Sequence, residues 1–553
     1  MHNLLTISTF CLGASLAAQE FPNQIAAGEV QPRSALLWTR AAQPGLVIFQ
    51  VDDEPTFQWP WRISFTWVSN PARPAKVRMH YLQADTRYHY RALRFGAVSD
   101  TGTFCTPATP GNHVGLKFGV SGDWRGELAP YPSVRNAGGD LDFFVGLGDT
   151  IYADYASPAL PIPQAQTLGD FRTKHSEVYA ERNGLNTLGD LRRQTAWFAT
   201  IDDHEVINDF SGGAHPSTDP RFQPSNKAFI NKTRLFKNGL KAFVDYNPLR
   251  STKYRNTGDP RFEGRRKLYR TRRFGDDAAI FVLDNRSFRD EPLQPVANPS
   301  DPFEVQVFLI DAFDPTRTML GQTQLQDLLD DLSAADAAGV TWKFVFVPEP
   351  IQNLGVVAAS DRFEGYAAER TQILDHITQH GIDNVVFVAA DLHGTLVNNL
   401  TYQMGPGQPQ IPTNAFEIIT GSVAYDAPFG PTLVSLAAQI GLLSPAEVAF
   451  YNSLPTPAKD GFLKTLIDNT ITPLGYDTLG LDNSPINFAL NAGGWLATHT
   501  FGWTEFDIDQ QSQALKITTY GIEPYTELDL QINPQNVVNR VPQVVQQFVV
   551  QPQ

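Results

Sequence analysis

Five apolar runs of strand length each end in a cluster of acidic, amide or imidazole side chains, and this feature limits the fold more than any other. LKFGV leads into Ser121-Gly122-Asp123-Trp124, and LDFFVGL into Gly148-Asp149-Thr150-Ile151-Tyr152. TAWFATI leads into Asp202-Asp203-His204-Glu205, AAIFVL into Asp284-Asn285-Arg286, and NVVFVAA into Asp391-Leu392-His393. Runs that are apolar throughout, rather than at every second residue, belong to strands covered on both faces. Helix-period segments stand among them. GQTQLQDLLDDLSAADAAG puts Leu325, Leu328, Leu329 and Leu332 on one face and stops at Gly339. YAAERTQILDHITQHG groups Ile373, Leu374 and Ile377 and stops at Gly381. Strands separated by helices predict an α/β domain with buried sheets, spanning residues 114–534.

The chain before it reads differently. Over 24–108 short runs such as SALLWTR, GLVIFQVDD and WRISFTWV follow one another with no helical period, and RYHYRALRF alternates. A small immunoglobulin-like β-sandwich is expected there. It is joined to the α/β domain by the turn-rich Thr106-Pro107-Ala108-Thr109-Pro110-Gly111. Residues 422–480 read as a helical, loop-rich insertion. Residues 535–553 read as an extended C-terminal tail.

In α/β sheets the carboxyl ends of strands form the rim where ligands bind. Asp, His and Tyr gathered on one rim repel one another and lose solvation unless a cation neutralises them. Oxygen donors with some imidazole suit Ca, Fe, Mn, Zn or Mg rather than a thiolate metal. One Gly-Asp after a strand is often only a turn starter. Four adjacent ionisable residues at 202–205 serve no packing purpose. In Asp391-x-His393 the period of two puts both side chains on one face; the alternative for His393 is a packed core histidine.

With 43 basic against 58 acidic residues the net charge is −15, which disfavours bulk nucleic acid as a partner but not a small phosphorylated substrate. LLTISTFCLGASLAAQ at the N-terminus, with Ser15 and Ala17 in a small-x-small arrangement, predicts a signal peptide over residues 1–17 and a secreted, periplasmic or extracellular protein. Cleavage would remove Cys11 and leave Cys105 unpaired. No other apolar run has the roughly 20 residues needed to span a bilayer.

On these residues the chain resembles the calcineurin-like metallophosphoesterase superfamily, and within it the PhoD-type alkaline phosphatases. SALLWTR and GTFCTP resemble the family's N-terminal sandwich. LDFFVGLGDTIYADY, IDDHEVINDF, FVLDNRSFR, LGQTQLQDLLDDL, DRFEGYAAER and VVFVAADLH match later blocks in order. The resemblance implies a metallophosphoesterase-type α/β sandwich that hydrolyses phosphate mono- or diesters with a metal-activated water. Asp149 would bridge two metals and Tyr152 would bind one as a phenolate. Asp203 or Asn208 would hold the second site, with Asp391 and His393 completing the set. His204 would be the general acid or a charge stabiliser at the leaving oxygen. Arg286 would clamp phosphate, or else pair with Asp284 or Asp290. The family pattern has an iron-binding Cys at the end of the first strand, where this chain has Ser121-Gly122-Asp123; Asp123 would bind metal directly, or Ser121 would stand in. The rival expectations are a phospholipase-type diesterase acting on lipid headgroups or cell-wall polymers, and a non-catalytic secreted binding protein.

Overall fold

The computed structural model describes residues 20–553; the expected signal peptide and Cys11 lie outside the described residues. All five runs are strands. Leu116–Trp124, Phe143–Leu147 and Ala196–Thr200 lie side by side and parallel in an 11-stranded sheet. Ala278–Val282 and Val385–Ala389 flank Trp342–Phe346, again parallel, in a seven-stranded sheet.

The two sheets stack face to face. The Phe118 ring meets Phe344 edge-on at 4.9 Å, Phe143 stacks on Phe274 at 4.7 Å, and Thr200 Oγ1 donates to the Leu283 carbonyl at 2.6 Å. Successive residues serve different cores because side chains alternate across a strand. Phe143 and Val145 enter the inter-sheet core, while Phe144 points outward to pack with Trp197, Phe171 and Phe243. That double duty explains why the runs are apolar at every residue. On the outer face of the seven-stranded sheet, Gln322–Ala337 buries Leu325, Leu328, Leu329 and Leu332, and Ala367–Gln379 buries Ile373, Leu374 and Ile377, the stripes read from the sequence.

The N-terminal region is all β, as expected, but its strands divide between two sheets. Gly45–Asp52, Arg62–Val68, Thr86–Arg94, Ala97–Val98 and Gly102–Thr106 form a separate five-stranded sheet. Ile25–Gln31, Ser34–Thr39 and Ala75–His80 instead extend the 11-stranded sheet, with Ala27 opposite Ala196. The stretch from 535 is extended, yet it does not trail: Gln543–Val550 lies between Leu515–Ile522 and Phe488–Ala492 in the same sheet. Gln546, Phe548 and Val550, at every second position, supply its inward face. Residues 422–480 carry the helices Phe429–Gln439, Pro445–Ser453 and Thr456–Ile471.

A buried ion cluster ties the first strand to the α/β region. Glu29, 4% exposed, accepts from Arg250 and Arg272 at 2.7 Å each and from Arg270. Burial opposes ionisation, but Arg270, Arg272 and Arg250 outweigh it and hold the Glu29 carboxyl down to about 2. A carboxyl with a depressed folded pKa stabilises above its unfolded value, and that contribution fades as pH falls toward the folded value. Glu29→Gln is therefore expected to cost about 3 kcal/mol near neutrality. Thermal denaturation should show the variant and the parent converging between pH 4.5 and 2; a pH-independent difference would refute the electrostatic cause.

Candidate metal centre

The clusters at the ends of both sheets meet at one edge of the stack. Leu116–Trp124 and Val385–Ala389, one from each sheet, come so close there that a Cβ on Gly122 would lie 2.8 Å from the Ala390 Cβ. At or just beyond the strand ends the backbone enters the left-handed region at Asp123 (φ 62°), Asp149 (φ 49°), Asp391 (φ 67°) and His393 (φ 59°). Non-glycine residues avoid this region at a cost of order 1–2 kcal/mol each. Four of them at one rim show a backbone bent to aim side chains inward.

Asp149, Asp203 and His204 can each offer a ligand atom with all three atoms within 4.8 Å of one another. The His204 backbone N–H donates to Asp149 Oδ1 at 3.2 Å. Tyr152 Oη donates to Asp123 Oδ1 at 3.3 Å, and His393 Nε2 lies 3.2 Å from the same oxygen. Asp123 therefore joins Tyr152 and His393 directly. Ser121 does not: its hydroxyl is turned to the carbonyls of Gly421 and Gly502, both at 2.9 Å.

The electrostatics call for positive charge. Burial, then the neighbouring Asp203, Asp202, Glu205 and Asp123, push the Asp149 carboxyl well above the usual range. Burial and the carboxylates of Asp202 and Asp203 do the same to Asp391. The Tyr152 phenol is raised by burial and by Asp149 and Asp123. Asp203 goes the other way: burial opposes ionisation, but the His204 and Arg286 charges hold it below the usual range. Burial also disfavours charge on His204, yet Asp203 and Asp154 raise it to about 9. Asp123 Oδ2 and Asp203 Oδ1 are buried without a hydrogen-bond partner. Unpartnered buried carboxylate oxygens beside imidazole and phenol are the donor set that hard or borderline cations take, so these residues fit a metal centre.

Glu205 organises this rim from behind. It accepts from Thr150 N–H at 2.7 Å and Thr150 Oγ1 at 2.6 Å through one oxygen, and from Asp202 N–H at 2.9 Å and Asp149 N–H at 3.2 Å through the other. It thus stitches two strand ends together. Asp154 Oδ1 lies 2.7 Å from His204 Nδ1 and orients that ring.

Two expected residues lie beside this group with their side chains engaged by other residues. Asn208 is exposed; its side-chain amide donates to Asp209 Oδ2 at 2.6 Å and its backbone N–H to Asp154 Oδ2 at 2.8 Å, while Asp203 lies in the group with Asp149 and His204. Arg286 is fully buried and is not free to clamp a substrate. Its guanidinium meets Asp202 at 2.7 Å, Asp361 at 2.9 Å and Asp203 at 3.7 Å, and also contacts Glu349. It pairs through the guanidinium with neither Asp284 nor Asp290.

Sequence reasoning passed over Asp154, although it lies two residues beyond Tyr152. It also missed Tyr425, whose ring stacks on His393 at 3.6 Å and lies 5.4 Å from Tyr152. Tyr425 follows a strand of only three residues, Ser422–Ala424, paired to Gly122 and Trp124. Arg125 was missed as well; its guanidinium lies 4.4 Å from the Tyr155 ring centroid and 5.4 Å from that of Tyr425.

Two stacked mixed sheets, helices outside, and acidic, imidazole and phenolic groups at adjoining strand ends define an α/β sandwich of the metallophosphoesterase type. The chain belongs to the PhoD-like phosphatase family, whose model matches residues 118–448; the family's N-terminal domain model matches residues 8–108. It is 25% identical over 421 residues to alkaline phosphatase D of Bacillus subtilis (strain 168), covering 70% of this chain and 66% of that protein, just under two thirds of its length. Among solved structures, one described as the structure of PhoD is similar over 96% of this chain and 90% of its own, at 19% identity and a TM-score of 0.69. A purple acid phosphatase from yellow lupin (Lupinus luteus) seeds aligns over 96% of this chain and 73% of its own, at 10% identity and a TM-score of 0.49.

Proposed function

We propose that this protein is an exported metal-dependent phosphoesterase. The observation that carries the reading is the approach of a carboxylate oxygen each from Asp149 and Asp203 and a His204 ring nitrogen to within 4.8 Å of one another, beside buried, unpartnered oxygens on Asp123 and Asp203. Asp149 would lie between two ion sites. Asp123, Tyr152 and His393 would hold one, and Asp203 and Asp391 the other. Bound cations would supply Lewis acidity, drawing phosphoryl oxygens into the site and making a water acidic enough to attack.

The chain's own residues do the rest. Asp154 holds His204 through Nδ1 and leaves Nε2 for the substrate. As the oxygen of water bonds to phosphorus, the bond from phosphorus to the alcohol oxygen breaks. The departing oxygen takes a proton from His204 Nε2, and the proton lost by water replaces it. Glu205 fixes the turn that carries Asp149, and Arg286 holds Asp202 and Asp203 in place.

The test is turnover of bis-p-nitrophenyl phosphate before and after removal of metal with a chelator, and after adding metal back. Loss and recovery are expected; undiminished turnover by metal-free protein would end the proposal. His204→Ala should lower kcat by about 10²–10⁴-fold for an alkyl leaving group, as loss of a general acid does. The loss should be smaller for p-nitrophenolate, which leaves without a proton. Equal losses for both would remove His204 from that role.

A further inference from the structure

Beside the metal centre runs a groove of about 240 Å³ that the phosphoester reading leaves unused. Asp391 and His393 form one end of it; Asp149, Asp203 and His204 do not line it. Its walls are apolar, with Phe429, Leu433 and Leu436 from the helix Phe429–Gln439 facing Leu466 and Ile467 from Thr456–Ile471. The cationic side chain on its lining, Arg362, is forked onto Glu364 at 3.1 Å and so is already neutralised. The groove is built into the site: the Phe429 N–H donates to the His393 carbonyl at 3.0 Å, and the His393 ring stacks on Tyr425. At its mouth Ile440 and Leu442 are 39% and 43% exposed. Solvent-facing apolar surface that continues inward to a reactive centre is a signature of a ligand groove. The wall Thr456–Ile471 lies beyond the residues matched by the family model, which end at 448.

We propose that the substrate is a phosphodiester carrying one alkyl arm, and that this arm lies in the groove while the other alcohol departs at the His204 end. The inference rests on the phosphoesterase reading and deepens it. Asp391 and His393 line the groove and His204, which protonates the leaving oxygen, does not, so the group the groove holds is the one that stays on phosphorus. A monoester has no such second group. The walls are mostly aliphatic, which suits a flexible chain better than a sugar or a charged headgroup.

The test compares methyl p-nitrophenyl phosphate with hexyl p-nitrophenyl phosphate on the metal-loaded protein. The hexyl ester should have a kcat/KM at least about tenfold higher, the value of burying roughly two methylenes. Leu433→Gln and Leu466→Gln, far from the proposed ligands, should each erase most of that preference while leaving the methyl ester unaffected. Vesicles of dioleoylphosphatidylcholine serve as a second arm: turnover there identifies a membrane lipid as the source of the chain, and turnover of the hexyl ester alone identifies a free ester. Equal kcat/KM for methyl and hexyl esters overturns the proposal while leaving the phosphoesterase reading intact. Binding of the products by calorimetry stands apart from turnover. Hexyl phosphate should bind at least about tenfold more tightly than methyl phosphate, and equal affinities overturn the groove's role even if no ester is hydrolysed, a result that would separately sink the phosphoesterase reading.

Discussion

Replacing Asp149 with asparagine is expected to abolish phosphoester turnover and, at the same time, to make the metal-free protein more stable. The two effects have one cause. Asp149 is buried among Asp203, Asp202, Glu205 and Asp123, and its carboxyl is held well above the usual range by burial and by that crowd of like charges. A carboxyl whose folded pKa is raised destabilises the fold at every pH above its unfolded value, because ionising it there costs more in the folded chain than in the unfolded one. Asparagine keeps the shape and still offers Oδ1 to the His204 N–H, but it carries no charge. Metal-free Asp149→Asn should therefore gain about 1–2 kcal/mol over the metal-free parent near neutrality, the usual sign of relieved active-site strain. That gain should shrink as pH falls toward 4. Added metal should raise the melting temperature of the parent by mass action and that of the variant much less. Diester turnover should fall by about 10³-fold or more. Scanning calorimetry with and without metal reads both parts. A metal-free variant less stable than its parent would show that Asp149 is a structural acid and not a ligand.

The legible part of this molecule was the part written in contiguous residues. Each of the five runs became a strand, and the helix stripes at Leu325–Leu332 and Ile373–Ile377 face the core as their spacing predicts. The acids and imidazoles at the strand ends came through because turns directly after buried strands can only point to the rim. What stayed hidden was set by pairing between distant segments. A short strand's residue pattern carries no record of which sheet it joins, so the division of the N-terminal strands between two sheets was not readable. Tyr425 follows a strand of three residues, too short to have a period. The environment of Arg286 comes from Asp202, Asp203, Glu349 and Asp361, which the fold alone brings together. An arginine after a strand looks the same in sequence whether it faces a substrate or a ring of carboxylates.

That ring makes Arg286→Met the most damaging single change expected outside the proposed ligands. The guanidinium is fully buried, and Glu349 beside it is buried as completely. Arg289 shares part of the load, reaching Glu349 at 2.7 Å and Asp361 at 3.3 Å, but it does not meet Asp202 or Asp203. Taking away one partner of a buried ion pair leaves the other charge stranded and costs about 3–5 kcal/mol; here several carboxylates are stranded together, so the loss should reach at least that figure. Arg286→Lys should recover little, because an ammonium is a point charge and cannot replace a planar fork that meets Asp202 on one edge and Asp361 on another. The pH dependence identifies the cause. In the methionine variant the abandoned carboxyls have raised pKa values, so their penalty is full above the unfolded carboxylate range and disappears below it. Melting temperatures of parent and variant should therefore differ most near neutrality and approach each other below about pH 4. A substrate clamp would behave otherwise. Arg286→Lys with unchanged stability and a raised KM for the diester would return Arg286 to the substrate and overturn its assignment as the keystone of the carboxylate ring.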